Sequence, residues 1–424
     1  MSAASPQIMP PPAPATEPGR LFIAEDFAVA EIEPPDIWGR ILAVAVREHA
    51  SDIHLTYQAD AMHVSVRLDG QLAPQGTIPT QMGLRLTNHV KVLAHLDVGE
   101  RRRPQDGHAD TMIDGRPVDL RISVLPTSHG EAVAVRILDR EAGALSLDQL
   151  GLTDSQLRDL RGLAESPSGL VLATGTPGAG KTTTQYALLR HLAGDHRKIV
   201  TVENPIEYDL PGIDQAQVNR RIGLDFATLV RSVLRQDPNV IMIGEVRDAE
   251  TAEAVVRAAN SGRLVFATTH AIHGAAALES LIALGAHPHF VARAFRGTIA
   301  QTLVRRLCPY CTVRLEETSE MDVLENVQRR LKPGEQPLLS MGRGCPHCRH
   351  TGYRGRIGVF EVLVADDNIR QLISGGAASC DVYRTAIQQG MLSIADAGKL
   401  AALRGFTTIE ELMQNVSEIW TGRQ

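Results

Sequence analysis

Residues Gly175, Thr176, Pro177, Gly178, Ala179, Gly180, Lys181 and Thr182 fit the pattern G-x-x-x-x-G-K-[ST] without a gap, and Thr183 follows. The apolar run 170–173 precedes them as a strand would, and 183–189 continues with helical character. Glycines let the backbone curl until successive N–H groups converge on one point, and the helix behind adds its positive end. This is phosphate chemistry: Lys181 would reach the β- and γ-phosphates of a nucleoside triphosphate, and the Thr182 hydroxyl would hold Mg²⁺. A glycine-rich turn before an ordinary helix is the alternative, and an ungapped match between strand and helix weighs against it.

Polar groups at the ends of apolar runs come next. The β-branched stretch 198–202 ends in Glu203, with Glu207 following it. Run 240–243 leads to Glu245, and run 264–267 leads to Thr268, Thr269 and His270. In sheets of parallel strands, catalytic groups collect at the carboxyl ends. Glu245 therefore stands where an acid orients or deprotonates attacking water. Glu203 and Glu207 could bind Mg²⁺ through water, and His270 could sense the γ-phosphate. A helix cap or a surface carboxylate is the bland reading of any one of them, and the repeated placement favours chemistry.

Four of the five cysteines form two C-x-x-C pairs, Cys308 with Cys311 and Cys345 with Cys348. Two such knuckles can bring four thiolates to the corners of a tetrahedron around Zn²⁺. A closed four-sulfur shell leaves no open position, so the metal is structural and can supply on the order of 10 kcal/mol toward folding. Redox pairs or free thiols are the alternative. Cys380 has no partner motif and reads as a buried core thiol.

These groups need a multi-domain scaffold. A chain of 424 residues is too long for one core. A net charge of -6 and an aromatic content of 4% argue against nucleic acid as the main partner. No apolar window is long enough for a membrane helix, and the N-terminus lacks a signal-peptide core. Residues 1–35 are a proline-rich flexible tail, a linker or docking segment, with Asp36 as the expected cap of the first helix. Residues 36–150 read as mixed α/β: strands alternate over 62–68, 118–124 and 133–137, and a helix is expected over 82–96. Arg67, Arg121 and Arg136 lie on the polar faces of those strands, as solvated sheet surface or as phosphate contacts. Residues 151–424 form the nucleotide domain. Its alternating strands and helices signal a parallel sheet; a cysteine finger, 305–356, is inserted, and 359–424 reads as helical, with a start at Thr407.

In order along the chain come Ala50-Ser51-Asp52-Ile53-His54, the run 101–107, the run 119–123, His129-Gly130-Glu131, the phosphate loop, 203–207, 234–238, 244–248, 268–270 and the paired cysteines. With these motifs, from about 50 to 413, the chain resembles the GspE/PilB-type ATPases of type II secretion and type IV pilus assembly. The resemblance implies a RecA-like P-loop ATPase domain with a PAS-like α/β N-terminal domain and a tetracysteine zinc-finger insertion. It implies ATP, Mg²⁺ and Zn²⁺, and a cytoplasmic homohexamer. Association with the inner membrane would be peripheral, through a platform protein of the pilus or secretion system, with no nucleic acid. It also implies arginines from both domains around the nucleotide, at Arg121, Arg136, Arg231, Arg235 and Arg247. Three positions depart from the family's habit: Asn204 replaces Asp, Arg263 replaces His and Thr302 replaces Arg. A further N-terminal domain that docks many members to a membrane partner is not expected.

The expected function is thus a Mg-ATP-hydrolysing hexameric motor for type IV pilus assembly or type II-like secretion, with a conjugative pilus within range. A retraction-type pilus motor is the near alternative, although such motors generally lack the finger. A RecA-like nucleic-acid translocase would share the core chemistry and should show a basic groove or stacking aromatics. A scaffold without turnover is disfavoured by the intact Lys181, Thr182 and Glu245.

Overall fold

The computed structural model describes residues 33–58, 60–139, 145–194, 196–315, 324 and 327–416, which fall into two compact units. Most of the expected proline-rich tail lies outside the described residues.

The first unit comprises the described residues up to Leu138 together with Cys308–Val313 and Gly342–Arg354. It opens with helix α1 (Pro34–Arg47), preceded by Glu33. Asp36 sits in the first turn rather than at the cap. The reason is the Pro34-Pro35 pair: proline's fixed φ and missing N–H suit the first helical positions, so the helix starts earlier than the sequence reading placed it. Strands β1 (Asp52–Tyr57), β2 (Ala61–Leu68) and β3 (Gln71–Pro79) lead to helix α2 (Thr80–Leu93). Strands β4 (Gln105–Ile113), β5 (Arg116–Thr127) and β6 (Gly130–Asp139) complete a six-stranded sheet of order β3-β2-β1-β6-β5-β4. Period-two alternation buries Met62, Val64, Val66 and Leu68 against Ile41, Leu42, Leu86 and Val90. One ion pair lies within this core: Lys91 Nζ is 2.6 Å from Glu131 Oε1 and donates to the Glu100 carbonyl at 2.7 Å. The sequence reading gives the whole finger to the nucleotide domain. Its two cysteine knuckles group with this first unit, where Arg349, 13% exposed, pairs with Glu48 at 2.9 Å and Asp69 at 3.6 Å.

The second unit starts at helix α3 (Asp154–Ala164), capped by Thr153, and is built on a mostly parallel sheet. In chain order come β7 (Gly169–Thr174), α4 (Lys181–Leu192), β8 (Ile199–Glu203), β9 (Asp214–Gln217) and α5 (Phe226–Val233). Then come β10 (Val240–Ile243), α6 (Ala249–Asn260), β11 (Leu264–Thr268), α7 (Gly274–Ala283), α8 (Pro288–Ala294) and β12 (Phe295–Leu307). The last strand, β13 (Tyr353–Val364), is followed by helices α9 (Asp367–Ser374), α10 (Ser379–Gln388), α11 (Ile394–Leu403) and α12 (Ile409–Asn415). The sheet order is β13-β12-β7-β11-β10-β8-β9. Every residue of β7, β8, β10 and β11 is buried, as expected of strands covered on both faces. Alternate side chains feed two cores, Leu170, Ile241 and Val265 on one face and Val171, Met242 and Phe266 on the other.

Two expectations are corrected here. Residues 359–364 are strand, not helix: the short run Val359–Leu363, apolar but for the buried Glu361, lies beside β12 instead of forming an amphipathic turn. Cys380 is exposed near the start of α10, because that helix buries Val382 and Ala386 on another face. Among the described residues no helix is long and apolar enough to cross a membrane.

Candidate functional site

The loop between β7 and α4 turns on its glycines. Gly175, Gly178 and Gly180 all have positive φ, at 142°, 80° and 85°, a region that side chains disfavour. Gly175 has a second constraint: a Cβ there would lie 2.3 Å from the Gln301 carbonyl oxygen. Ala179 is buried, whereas Thr176, Pro177 and Gly178 are exposed, and Thr182 and Thr183 are half-buried in the first turn of α4. Lys181 Nζ donates to the carbonyls of Gly175 at 2.6 Å and Thr176 at 3.1 Å, and burial draws its ammonium below the usual lysine range.

Parallel pairing aligns the strand ends beside this loop. Ala173 of β7 lies opposite Thr268 of β11, Ala267 opposite Ile243 of β10, and Ile243 opposite Val202 of β8. Main-chain bonds carry the alignment beyond the strands: Thr269 N–H donates to Ala173, Val246 N–H to Thr268 and Gly244 N–H to Val202, at 2.8–2.9 Å. The Thr174 hydroxyl donates to the Ala271 carbonyl at 2.8 Å and accepts from the Ala271 N–H at 2.7 Å, holding the segment around His270. Glu245 follows β10, its side chain 14% exposed and 2.7 Å from the exposed Arg247 guanidinium. His270 is held below the usual histidine range by burial first, then by the positive charges of Lys181 and Arg247, with Glu245 opposing. The loop lysine, the acid, one arginine and the histidine thus share one electrostatic neighbourhood.

In the cysteine cluster all four sulfurs lie within 4.8 Å of one another. Cys308 to Cys345, Cys311 to Cys348 and Cys345 to Cys348 span 3.8, 3.7 and 3.8 Å. Thiolates about 2.3 Å from a tetrahedral zinc have edges of about 3.8 Å, so the donor set fits that ion. The N–H groups of Cys345 and Gly352 point at Cys348 Sγ at 3.2 and 3.3 Å, favouring a thiolate there. Burial pushes the Cys311 thiol up to about 12 and raises Cys308 as well, so a bound metal has protons to displace.

A family model described as "Type II/IV secretion system protein" matches residues 30–414. The chain belongs to this family. It is 42% identical over 374 residues to the type II secretion system protein HxcR of Pseudomonas aeruginosa, covering 88% of this chain and 75% of that one. It is 39% identical over 396 residues to the type II secretion system ATPase E of Vibrio cholerae, covering 93% and 78%. With the type IV pilus assembly ATPase PilB of Thermus thermophilus it shares 36% over 383 residues, 89% of this chain and 42% of that one. Its fold is that of the ATPase DotB of Legionella pneumophila, with a TM-score of 0.66 and 21% identity over 91% and 96% of the two chains. The pilus retraction motor PilT with bound ADP gives 0.60 and 24% over 91% and 97%. The resemblance to GspE/PilB-type ATPases is therefore shown, and with it a RecA-like ATPase of a secretion or pilus system.

The remaining expected residues have partners of their own. Glu203 is 3% exposed and both its oxygens are engaged: Tyr186 donates to one, and Thr201 at 2.6 Å and Gln215 at 3.0 Å donate to the other. Burial and this carboxylate push the Tyr186 phenol up. Glu203 is thus a buried acceptor tying α4, β8 and β9 together, and Glu207 is the half-buried carboxylate beyond it. Arg231 bonds the Thr228 hydroxyl at 3.3 Å, and Arg235 bonds the Arg231 carbonyl and the Ser232 hydroxyl, each at 3.1 Å. Arg121 and Arg136 belong to the first unit, Arg121 opposite His108 on β4 and Arg136 3.2 Å from Asp52. Of the three departures, Asn204 is exposed and Arg263 bonds the Ser261 carbonyl at 2.8 Å. Thr174, Tyr186, Gln215 and Gln301 escaped the sequence reading, because no motif marks them and only the fold brings their partners close, Ala271 to Thr174, Glu203 to Tyr186 and Gln215, and Ala179 to Gln301.

Proposed function

We propose that this chain is a Mg-ATP-driven homohexameric motor that powers pilus assembly or type II-like secretion by acting on an inner-membrane platform protein, to which it is peripherally bound. The observation that carries the reading is the gathering of Lys181, Glu245, Arg247 and His270 at the carboxyl ends of parallel strands in a member of the secretion family. Backbone N–H groups of 178–182 would cradle the phosphates, Lys181 would leave its loop carbonyls for the β- and γ-oxygens, and the Thr182 hydroxyl would hold Mg²⁺. Glu245 orients the attacking water and accepts its proton, with Arg247 fixing the carboxylate beforehand. His270, kept neutral, can accept or donate a hydrogen bond beside the γ-phosphate without adding charge. Glu207 would help hold Mg²⁺ in this scheme, and Glu203 positions the strand end behind it. Arg121, Arg136, Arg231 and Arg235 complete the charge around the phosphates on domain closure or from a neighbouring subunit. Zinc on the four cysteines is structural.

ATP turnover per chain, measured across a protein concentration series beside sizing data, tests the assembly. Turnover rising as hexamers form is expected, and equal turnover by monomers would remove the shared-site scheme. Added single- or double-stranded DNA is expected to leave the rate unchanged, and stimulation would favour a translocase.

A further inference from the structure

Strand β12 lies beside β7 with Ala300 opposite Thr174, so Gln301 comes level with Gly175, where the loop leaves the sheet. Its backbone occupies the space that a Gly175 side chain would need. Its side chain, 2% exposed, reaches the other end of the loop: Nε2 donates to the Ala179 carbonyl at 2.6 Å. A Cβ on Gly180 would lie 3.2 Å from the same nitrogen. One residue therefore touches the first glycine of the loop and the two positions before Lys181.

Because it faces a carbonyl, the side-chain amide must present its nitrogen there. Its Oε1 is left buried without a hydrogen-bond partner among the described residues, an arrangement that ordinarily costs stability. The donor end is kept despite that cost. The bond fixes the plane of the 179–180 peptide, and in a trans peptide the Gly180 N–H points opposite to the carbonyl, away from Gln301. Gly180, at φ 85° and without a side chain, has little else to steady that plane.

We propose that Gln301 is a positioning residue for the nucleotide: by pinning the 179–180 peptide it aims the Gly180 N–H into the loop and so sets nucleotide affinity, not the chemical step. This deepens the phosphate-loop reading and rests on it.

Calorimetric binding of Mg·ADP to the full chain tests it, with Lys181→Ala, Gln301→Leu and Gln301→Glu beside the parent. Gln301→Leu is expected to weaken Mg·ADP about tenfold or more while kcat at saturating ATP stays within about threefold. An unchanged Kd would overturn the proposal. Gln301→Glu supplies a readout that a merely structural role would not move. An ionised carboxylate has no hydrogen for the Ala179 carbonyl, whereas its protonated form has one. ADP affinity of Gln301→Glu is expected to recover between about pH 8 and about pH 6, relative to the parent at each pH. No recovery would overturn the proposal even if Gln301→Leu fails to fold. Normal ADP binding by Lys181→Ala would instead defeat the phosphate-loop reading itself.

Discussion

Glu245 and Lys181 divide the chemistry, and substitutions should separate them. Glu245→Gln keeps the shape and removes the base, so Mg·ATP should still bind while turnover falls on the order of 10²–10⁴-fold. Steady-state hydrolysis beside equilibrium nucleotide binding checks this, and near-parental turnover would end the assignment. A pH effect follows from three histidines. His54, His89 and His270 are all held below the ordinary 6.5, chiefly by burial. Below that value the unfolded chain binds more protons than the folded one, so stability rises with pH. Their contribution is complete above 6.5 and is lost as pH falls through it toward the lowered folded values. Thermal melts between about pH 7.5 and about pH 5.5 should show the midpoint falling on the acid side. His89→Gln should flatten that fall, and an unchanged slope would assign it to other groups.

At the scale of elements, the turn from β7 into α4 is tightly constrained backbone. Gly175→Ala would put a methyl 2.3 Å from a carbonyl oxygen on β12, at a φ of 142°. The loop must shift, so nucleotide affinity should fall tenfold or more, by roughly 1.4 kcal/mol per factor of ten. Fluorescent-nucleotide titration reads this, and parental affinity would show that the loop tolerates a side chain. The strands that line up the site were legible because β7, β10 and β11 carry short apolar runs and β8 is rich in β-branched residues, and the cysteine spacing announced its cluster. Strand β12 was not legible. Arg296 and Gln301 interrupt its apolar pattern, and each reaches a distant carbonyl, Ser168 or Ala179. Glu203 shows the same limit within the site. Sequence places an acid at a strand end, but only the fold brings Tyr186, Thr201 and Gln215 to its oxygens.

For the whole molecule the decisive question is where Arg121 and Arg136 act. Arg136 is bound to Asp52 within its own unit yet keeps 65% of its side chain exposed. In the proposed motor, Arg121→Ala and Arg136→Ala should lower turnover of assembled protein, toward 10³-fold if either acts as a fully engaged arginine finger. The melting temperature of Arg136→Ala should hardly move, since exposed substitutions shift stability by no more than about half a kcal/mol. Parental rates in both would retire them from the mechanism. The exposed Cys380 also gives the assembly a ready-made reporter. With the other four sulfurs on a metal, a maleimide dye should attach once per chain, leaving each subunit marked at the same point on α10. Stripping the metal with a chelator should raise the stoichiometry toward five, the full cysteine count, so dye uptake becomes a titration of the finger. Uptake of five dyes by untreated protein would mean that the cluster holds no metal.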